Sequence, residues 1–203
     1  IAAQFYQMVR MPRKSRQAAL RAVRLHPAGM EMRMLIHTLG ELGLHREAGE
    51  CARLAMQETP YDRQLLHIRA VSLLRTGGSE GQAARFWERI ARIDPEDTVA
   101  AYYVQAASEG RLHGEEIGYA YQVPRQEAVA RLGYVADVLA RCNGDLETPW
   151  REDARFRAML QWCLTVENVQ FRRAAVTALA ALEDPEAEST LREVFTRPEI
   201  SYE

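Results

Sequence analysis

The amino-acid sequence predicts an all-α fold, a right-handed superhelix of helical hairpins. Apolar residues make up 47% of the 203 residues, and between breakers they recur at the spacing of one helical face. The chain has only 12 Gly and 8 Pro, and most of the prolines stand between the periodic segments. Landmarks also recur 35 residues apart, a period typical of stacked helical pairs. The landmark pairs are Leu39 and Leu74, Gly43 and Gly78, Ala48 and Ala83, and Pro60 and Pro95.

The first half of the chain divides into alternating helices. In the segment 45–58, small and apolar residues trace one stripe along a helix. Breakers separate the predicted helices, namely Pro27, Gly43, Pro60, Gly77-Gly78 and Asp94-Pro95. The predicted helices cover residues 2–10, 14–25, 29–41, 45–58, 62–75, 80–92 and 97–109.

The second half follows another pattern. Residues 111–123 break the periodicity, so we expect an irregular junction or a short, aberrant helix there. Beyond the junction, Pro124 opens one helix, and Thr148-Pro149 provides a cap and a first-position proline for another. The predicted helices cover 124–141, 149–165, 169–182 and 185–196. The sequence therefore divides into 1–110, the junction 111–123 and 124–203, which we expect to form a continuous solenoid.

The landmarks of the first half resemble the tetratricopeptide repeat, a helix–turn–helix unit. In that family a small residue lies deep in the second helix, a second small residue follows, and a proline closes the unit. The resemblance covers about residues 1–110 and implies that Ala48 and Ala83 are buried where paired helices approach closely. It also implies a glycine with positive φ at the turn, where Gly43 and Gly78 stand. The matching positions are Ala48, Ala55 and Pro60 in one copy, and Ala83, Ile90 and Pro95 in the next.

A run in the second half resembles a HEAT-type repeat. In that family, arginine and alanine positions pack one unit on the next, and Asp-Pro starts the second helix. The resemblance covers about 168–196 and implies that 124–203 continues the array with HEAT-like helices. The run consists of Arg172-Arg173-Ala174-Ala175, Ala178-Leu179, Leu182, Asp184-Pro185 and Leu191.

Charge and cysteine content limit the kinds of partner and compartment. The net charge is only −2, yet residues 1–30 hold six cations and no acid. These basic residues could contact an acidic partner or nucleic acid. They could equally form a solvated helix face or a surface that meets an upstream repeat. The three cysteines are far apart, which indicates buried free thiols and a cytoplasmic protein. No run of about 18 apolar residues occurs, so we expect no membrane span.

No constellation in the sequence points to catalysis, a metal or a cofactor. The five histidines lack zinc-ligand spacing with cysteine or a carboxylate, and no nucleophile elbow or phosphate-binding loop occurs. Trp150 with Asp153 resembles the aromatic residue and acid of helical-repeat DNA glycosylases. The second half is net acidic, however, which disfavours binding to phosphates. We therefore expect no enzymatic activity, no bound metal and no cofactor.

The resemblance to tetratricopeptide arrays implies a peptide-binding groove lined by the first helix of each unit. Two arginines in this groove could hold a carboxylate, and a tyrosine could stack on a peptide. Carried over residue by residue, the groove would offer Arg33, His37, Ser72, Arg75 and Tyr102.

The sequence thus predicts a non-catalytic protein–protein interaction module, an adaptor or scaffold that binds an acidic peptide or protein segment in the cytoplasm. Two alternatives stay open. One is a nucleic-acid-binding or DNA-glycosylase-like helical array, which a basic groove would favour. The other is a regulatory array attached to an effector domain outside this sequence, since the chain starts at Ile1 rather than methionine.

Overall fold

The computed structural model describes residues 1–25, 27–166 and 168–196 of the chain. Within these ranges every regular element is a helix and no strand occurs, so the predicted all-α class is confirmed. None of the helices described is long and apolar enough to cross a membrane. The chain forms two compact units, the first from Ile1 to Pro124 and the second from Arg125 onward.

The first unit contains seven of the described α-helices. Helices that follow one another in the chain pack side by side, from the pair α1 and α2 through to α6 and α7. The helices are α1 (Ala2–Met8), α2 (Pro12–Arg24), α3 (Gly29–Glu41), α4 (His45–Ala55), α5 (Arg63–Arg75), α6 (Glu80–Ile93) and α7 (Thr98–Ser108), followed by a short 3-10 turn, Leu112–Gly114.

Local capping explains where several of these helices begin. Pro12 is the first residue of α2, where its missing N–H is not needed. Asp62 caps α5 by accepting a hydrogen bond from the Leu65 N–H at 2.9 Å. Ser79 and Gln82 form a reciprocal capping box at the start of α6. Asp62 and Ser79 lie next to Pro60 and Gly77-Gly78, the breakers from which α5 and α6 were predicted.

The small landmark residues lie in the core of the first unit. Ala48 and Ala83 are fully buried, as the resemblance to paired helices implied. Gly43 has a φ of +69° at the turn before α4. In the next turn, however, the positive φ of +88° belongs to Gly77 rather than to the predicted Gly78. Gly78 serves close packing instead, because a Cβ there would lie 2.5 Å from a side-chain carbon of Leu73.

The second unit contains α8 to α12. The predicted single helix 149–165 is wrong, because the backbone of Asp153 is extended and separates two helices. The Asp153 carboxylate then caps the second of them by accepting from the Phe156 N–H at 2.9 Å. Helix α10 contributes much of the described core and packs on α8, α9 and α11. The helices are α8 (Arg125–Arg141), α9 (Glu147–Glu152), α10 (Ala154–Cys163), α11 (Val169–Ala180) and α12 (Pro185–Thr196).

The last part of the first unit is irregular. After the 3-10 turn, residues 115–124 form neither helix nor strand. Ile117 and Val123 are nevertheless buried, with 4% and 3% of their surface exposed. We call residues 115–123 the strap, because they lie against residues of α3, α4, α5 and α7.

Candidate functional site

The strap contacts residues of α3, α4, α5 and α7, and we call these residues the groove. Gln64 of α5 holds the strap backbone at two points. Its side-chain N–H₂ donates to the carbonyl oxygen of Tyr119, and its side-chain oxygen accepts from the N–H of Tyr121 at 2.9 Å. The groove residues are Gly40, His45, Gln64, His67, Ser72, Arg75, Asp97 and Tyr103.

Three more carbonyls of the strap accept hydrogen bonds from groove side chains. With the two bonds from Gln64, five main-chain groups of the strap are bound by side chains of the helices. Main-chain bonding of this kind does not depend on the identity of the bound residues. The three donors are Arg75 to Ile117 at 3.1 Å, His67 to Gly118 at 3.0 Å, and Tyr103 to Gln122 at 2.7 Å.

Tyr119 occupies a flat site between α3, α4 and α5. Its ring stacks on His45 with an interplanar angle of 11°, and its hydroxyl lies 2.9 Å from His45 Nδ1 and 3.2 Å from Ser72 Oγ. The opposite wall is Gly40, where a Cβ would lie 2.6 Å from a ring carbon of Tyr119. A glycine inside a helix costs stability, and here its missing side chain leaves room for the ring. Burial raises the pKa of the Tyr119 phenol and lowers that of His45.

Tyr121 reaches the start of α7. Its hydroxyl donates to Asp97 at 2.8 Å, and this carboxylate also accepts from the N–H groups of Val99 and Ala100 that begin the helix. Arg63 pairs with the other carboxylate oxygen at 3.0 Å. Burial, together with the Asp97 charge, raises the pKa of Tyr121. The site therefore requires a neutral phenol that can donate a hydrogen bond.

His67 is the buried centre of the groove. Its Nδ1 accepts from the indole N–H of Trp87 at 3.1 Å, because that indole nitrogen can only donate. The ring proton of the neutral imidazole therefore sits on Nε2, which donates to the Gly118 carbonyl. Tyr103 stacks on Trp87 with a centroid distance of 4.5 Å. Burial lowers the pKa of His67 from 6.5 to about 4, so the imidazole is neutral at pH 7.

Two carboxylates anchor the chain where it enters the strap. Glu115 accepts from the Tyr102 hydroxyl at 2.7 Å and from Arg111 at 2.6 Å through one oxygen. Glu80 accepts from the His113 N–H at 2.9 Å, again through one oxygen. In the described part of the chain, the second oxygen of each carboxylate is buried without a hydrogen-bond partner. An unpaired buried oxygen carries a desolvation cost, so this anchor is imperfectly satisfied.

The five residues predicted to bind a partner occupy two kinds of position. Ser72, Arg75 and Tyr102 contact the strap. Arg33 instead pairs with Asp62, and His37 pairs with Glu41 at 3.3 Å. The structure therefore brings three of the five to the segment that lies in the groove, whereas Arg33 and His37 lie beside the carboxylates of Asp62 and Glu41.

Sequence reasoning missed Gly40, Gln64, His67 and the strap itself. One available signal was the alternation in the strap, where Ile117, Tyr119, Tyr121 and Val123 are apolar or aromatic at every second position. Such alternation is typical of a non-helical segment with one buried side. A second signal was the pair of aspartates Asp62 and Asp97, which stand 35 residues apart and cap α5 and α7.

The residues that suggested a DNA-glycosylase-like site have structural roles in the second unit. Trp150 is 1% exposed. Asp153 accepts from the Tyr134 hydroxyl and caps α10, and the Tyr134 bond lowers the pKa of its carboxyl group. Among the residues the structure describes, no group of three or more His, Cys, Asp or Glu side chains could hold a metal ion.

In the described part of the chain every regular element is a helix, and side chains of the first unit's helices hold the non-helical strap by its main chain. Comparisons with protein-family models, with curated proteins and with solved structures find no match. The evidence for a function therefore lies in the groove.

Proposed function

We propose that the chain is a non-catalytic protein–protein interaction module, an adaptor or scaffold whose groove binds a segment of another protein. In this proposal the first unit is a tetratricopeptide-like part and the second a HEAT-like part of a right-handed superhelix. The partner segment takes the position of the strap, and the module works in the cytoplasm.

The observation that carries the proposal is the set of five main-chain hydrogen bonds between the groove and the strap. Gln64 binds a carbonyl and an N–H two residues apart, as a side-chain amide can for any polypeptide. Recognition of main-chain groups supplies affinity, and pockets for side chains supply specificity, as in other modes of peptide recognition. Of the predicted partner-binding residues, Arg75 makes one of these main-chain bonds, while Ser72 and Tyr102 bond to the strap side chains of Tyr119 and Glu115.

A peptide array tests the proposal with the full chain. The variant Tyr119→Ala/Tyr121→Ala weakens the chain's own strap and makes the groove accessible. We expect it to retain a subset of nine-residue peptides at least tenfold more strongly than the wild type. Adding Gln64→Ala should remove that retention, because the amide holds the peptide backbone.

A matched control is Tyr61→Ala, which removes a tyrosine that is 63% exposed and lies outside the groove. It should behave as the wild type does. Peptides retained equally with and without Gln64 would contradict the proposal, provided that far-UV circular dichroism shows unchanged helix content.

A further inference from the structure

We propose that the partner segment carries two tyrosines separated by one residue, the second of them unphosphorylated, with apolar residues flanking them at alternate positions, and that the strap is a built-in competitor for this segment. This inference rests on the proposed function. In this sequence the pattern is Ile117, any residue, Tyr119, any residue, Tyr121, any residue, Val123.

The first tyrosine site selects a planar ring with a hydroxyl. The Tyr119 ring lies so close to Gly40 that a Cβ at residue 40 would be only 2.6 Å from a ring carbon. His45 and Ser72 both lie within hydrogen-bond distance of the hydroxyl. A phenylalanine would fill the same space and leave these two polar groups without that partner.

The second tyrosine site selects a neutral phenol. Asp97 accepts from the Tyr121 hydroxyl at 2.8 Å and is itself largely buried, with 8% of its surface exposed. His67 meets the Tyr121 ring edge-on, with a centroid distance of 5.5 Å. A phosphate on this tyrosine would place negative charge beside the Asp97 carboxylate, which like-charge repulsion opposes. Phosphorylation of the second tyrosine should therefore prevent binding.

Main-chain turns and exposed positions set the spacing of the pattern. The Gln122 N–H donates to the Ala120 carbonyl at 2.9 Å, which folds the backbone tightly around Tyr121. Gly118 and Gln122 are exposed, and a Cβ on Gly118 would meet no atom within 4 Å. These intervening positions accept other side chains, so the tyrosines and the flanking apolar residues carry the specificity.

Two features indicate that the strap can be displaced. The strap forms no helix or strand, and its main chain is held in the groove by side chains of the helices. In addition, the anchor at Glu80 and Glu115 leaves one buried oxygen of each carboxylate unpaired among the described residues, a cost that opening relieves. Because the strap is tethered beside the groove, its effective concentration is on the order of millimolar. A free peptide must overcome this competition.

Fluorescence anisotropy with a labelled nonapeptide, Glu-Glu-Ile-Gly-Tyr-Ala-Tyr-Gln-Val, tests the inference. We expect Tyr119→Ala/Tyr121→Ala to bind this peptide at least tenfold more tightly than the wild type, and Tyr61→Ala to match the wild type. Phosphorylation of the second peptide tyrosine, or alanine at both tyrosines, should reduce affinity at least tenfold. The single variant Tyr119→Ala, expected to gain at least threefold, provides the same test if the double variant loses helix content.

A substitution in the groove provides a second test. In the strap-weakened background, Gly40→Ala fills the first tyrosine site and should reduce nonapeptide affinity at least tenfold. Gly81→Ala is its control, because a Cβ at this helical position meets no atom within 4 Å. If the nonapeptide binds no better than its alanine version, the tyrosine pattern is wrong. Gln64-dependent retention of other peptides would then leave the proposed function standing, whereas loss of both would overturn both.

Discussion

The two units place their buried polar side chains in different surroundings. In the first unit, three of the buried polar residues, His67, Ser72 and Asp97, bond to strap residues that lie 24 to 51 positions away in the chain. The buried hydroxyls of Ser15 and Thr38 bond instead to the nearer carbonyls of Ala3 and Met34. In the described part of the second unit, the buried polar residue is Arg131. It pairs with Glu127 one helical turn earlier at 2.8 Å and lies over the ring of Trp162.

This difference predicts which unit responds to its surroundings. A buried polar group whose partner is removed retains its full desolvation cost. Opening the strap therefore affects the packing of α5 and α7, and any ligand that replaces the strap must supply equivalent bonds. The ion pair of Arg131 with Glu127 lies within one helix, α8, and its guanidinium also lies over Trp162 of α10.

Mild acid should destabilise the first unit far more than the second. All five histidines precede Pro124, and burial lowers the pKa of His67 from 6.5 to about 4. Above pH 6.5 both folded and unfolded His67 are neutral, so its contribution to stability is complete. As pH falls from 6.5 to about 4, only the unfolded chain takes up the proton, which costs about 3 kcal/mol.

Hydrogen exchange at pH 7 and pH 4.5, expressed as protection factors, measures the loss in each unit. Amides of α5 and α7 should lose protection, while those of α8 and α10 should not. In the second unit Asp153 and Asp184 have lowered carboxyl pKa values, so their contribution is lost only below about pH 4. The variant His67→Gln should flatten the pH response of the first unit. An equal loss of protection in both units would contradict the assignment to His67.

Removing one tyrosine hydroxyl in each unit compares the stability contributed by a hydrogen bond to a buried carboxylate with that of a hydrogen bond to a more exposed carboxylate. Tyr121→Phe removes the donor to buried Asp97 and should cost about 1–3 kcal/mol, as for hydrogen bonds to charged groups. Tyr134→Phe removes the donor to Asp153, and both of these residues are only partly buried. Its cost should be below about 1 kcal/mol. Urea denaturation of both variants checks the order, and a larger effect of Tyr134→Phe would reverse the contrast.

The sequence predicts the helices well because their signals are local. The range 29–41 coincides with α3, and the caps at Ser79 and Asp62 lie within a few residues of the breakers. The groove depends instead on distant partners, such as Gln64 with Tyr121, which are 57 residues apart. The alternation in 117–123 shows that one side of the strap is buried, but nothing local identifies the helices that bury it. The split at Asp153 escaped prediction because the segment between Trp150 and Phe156 contains neither proline nor glycine to mark a break.

Helix caps should contribute equally in the two units, because each is a local interaction. Ser79→Ala removes the capping box of α6, and Asn168→Ala removes the cap of α11, whose side chain accepts from Gln170 N–H at 2.9 Å. Each should cost about 1 kcal/mol. Exchange of the first-turn amides in each helix reports the effect. A much larger cost in the first unit would mean that the whole unit, and not only the buried polar groups, depends on long-range contacts.

The smallest expected effects come from two exposed ion pairs. They test whether distance along the chain or burial causes the difference between the two units. Arg33 pairs with Asp62, 29 residues away, whereas Arg151 pairs with Glu147 at 3.1 Å within one helix. Both arginine side chains are well exposed, at 41% and 63%. Exposed ion pairs gain little, since water screens the charges and ordering the side chains costs entropy. Arg33→Ala and Arg151→Ala should therefore each change the free energy of unfolding by less than about 1 kcal/mol. A markedly larger loss for Arg33→Ala in urea denaturation would show that long-range pairing, rather than burial, makes the first unit dependent on its partners.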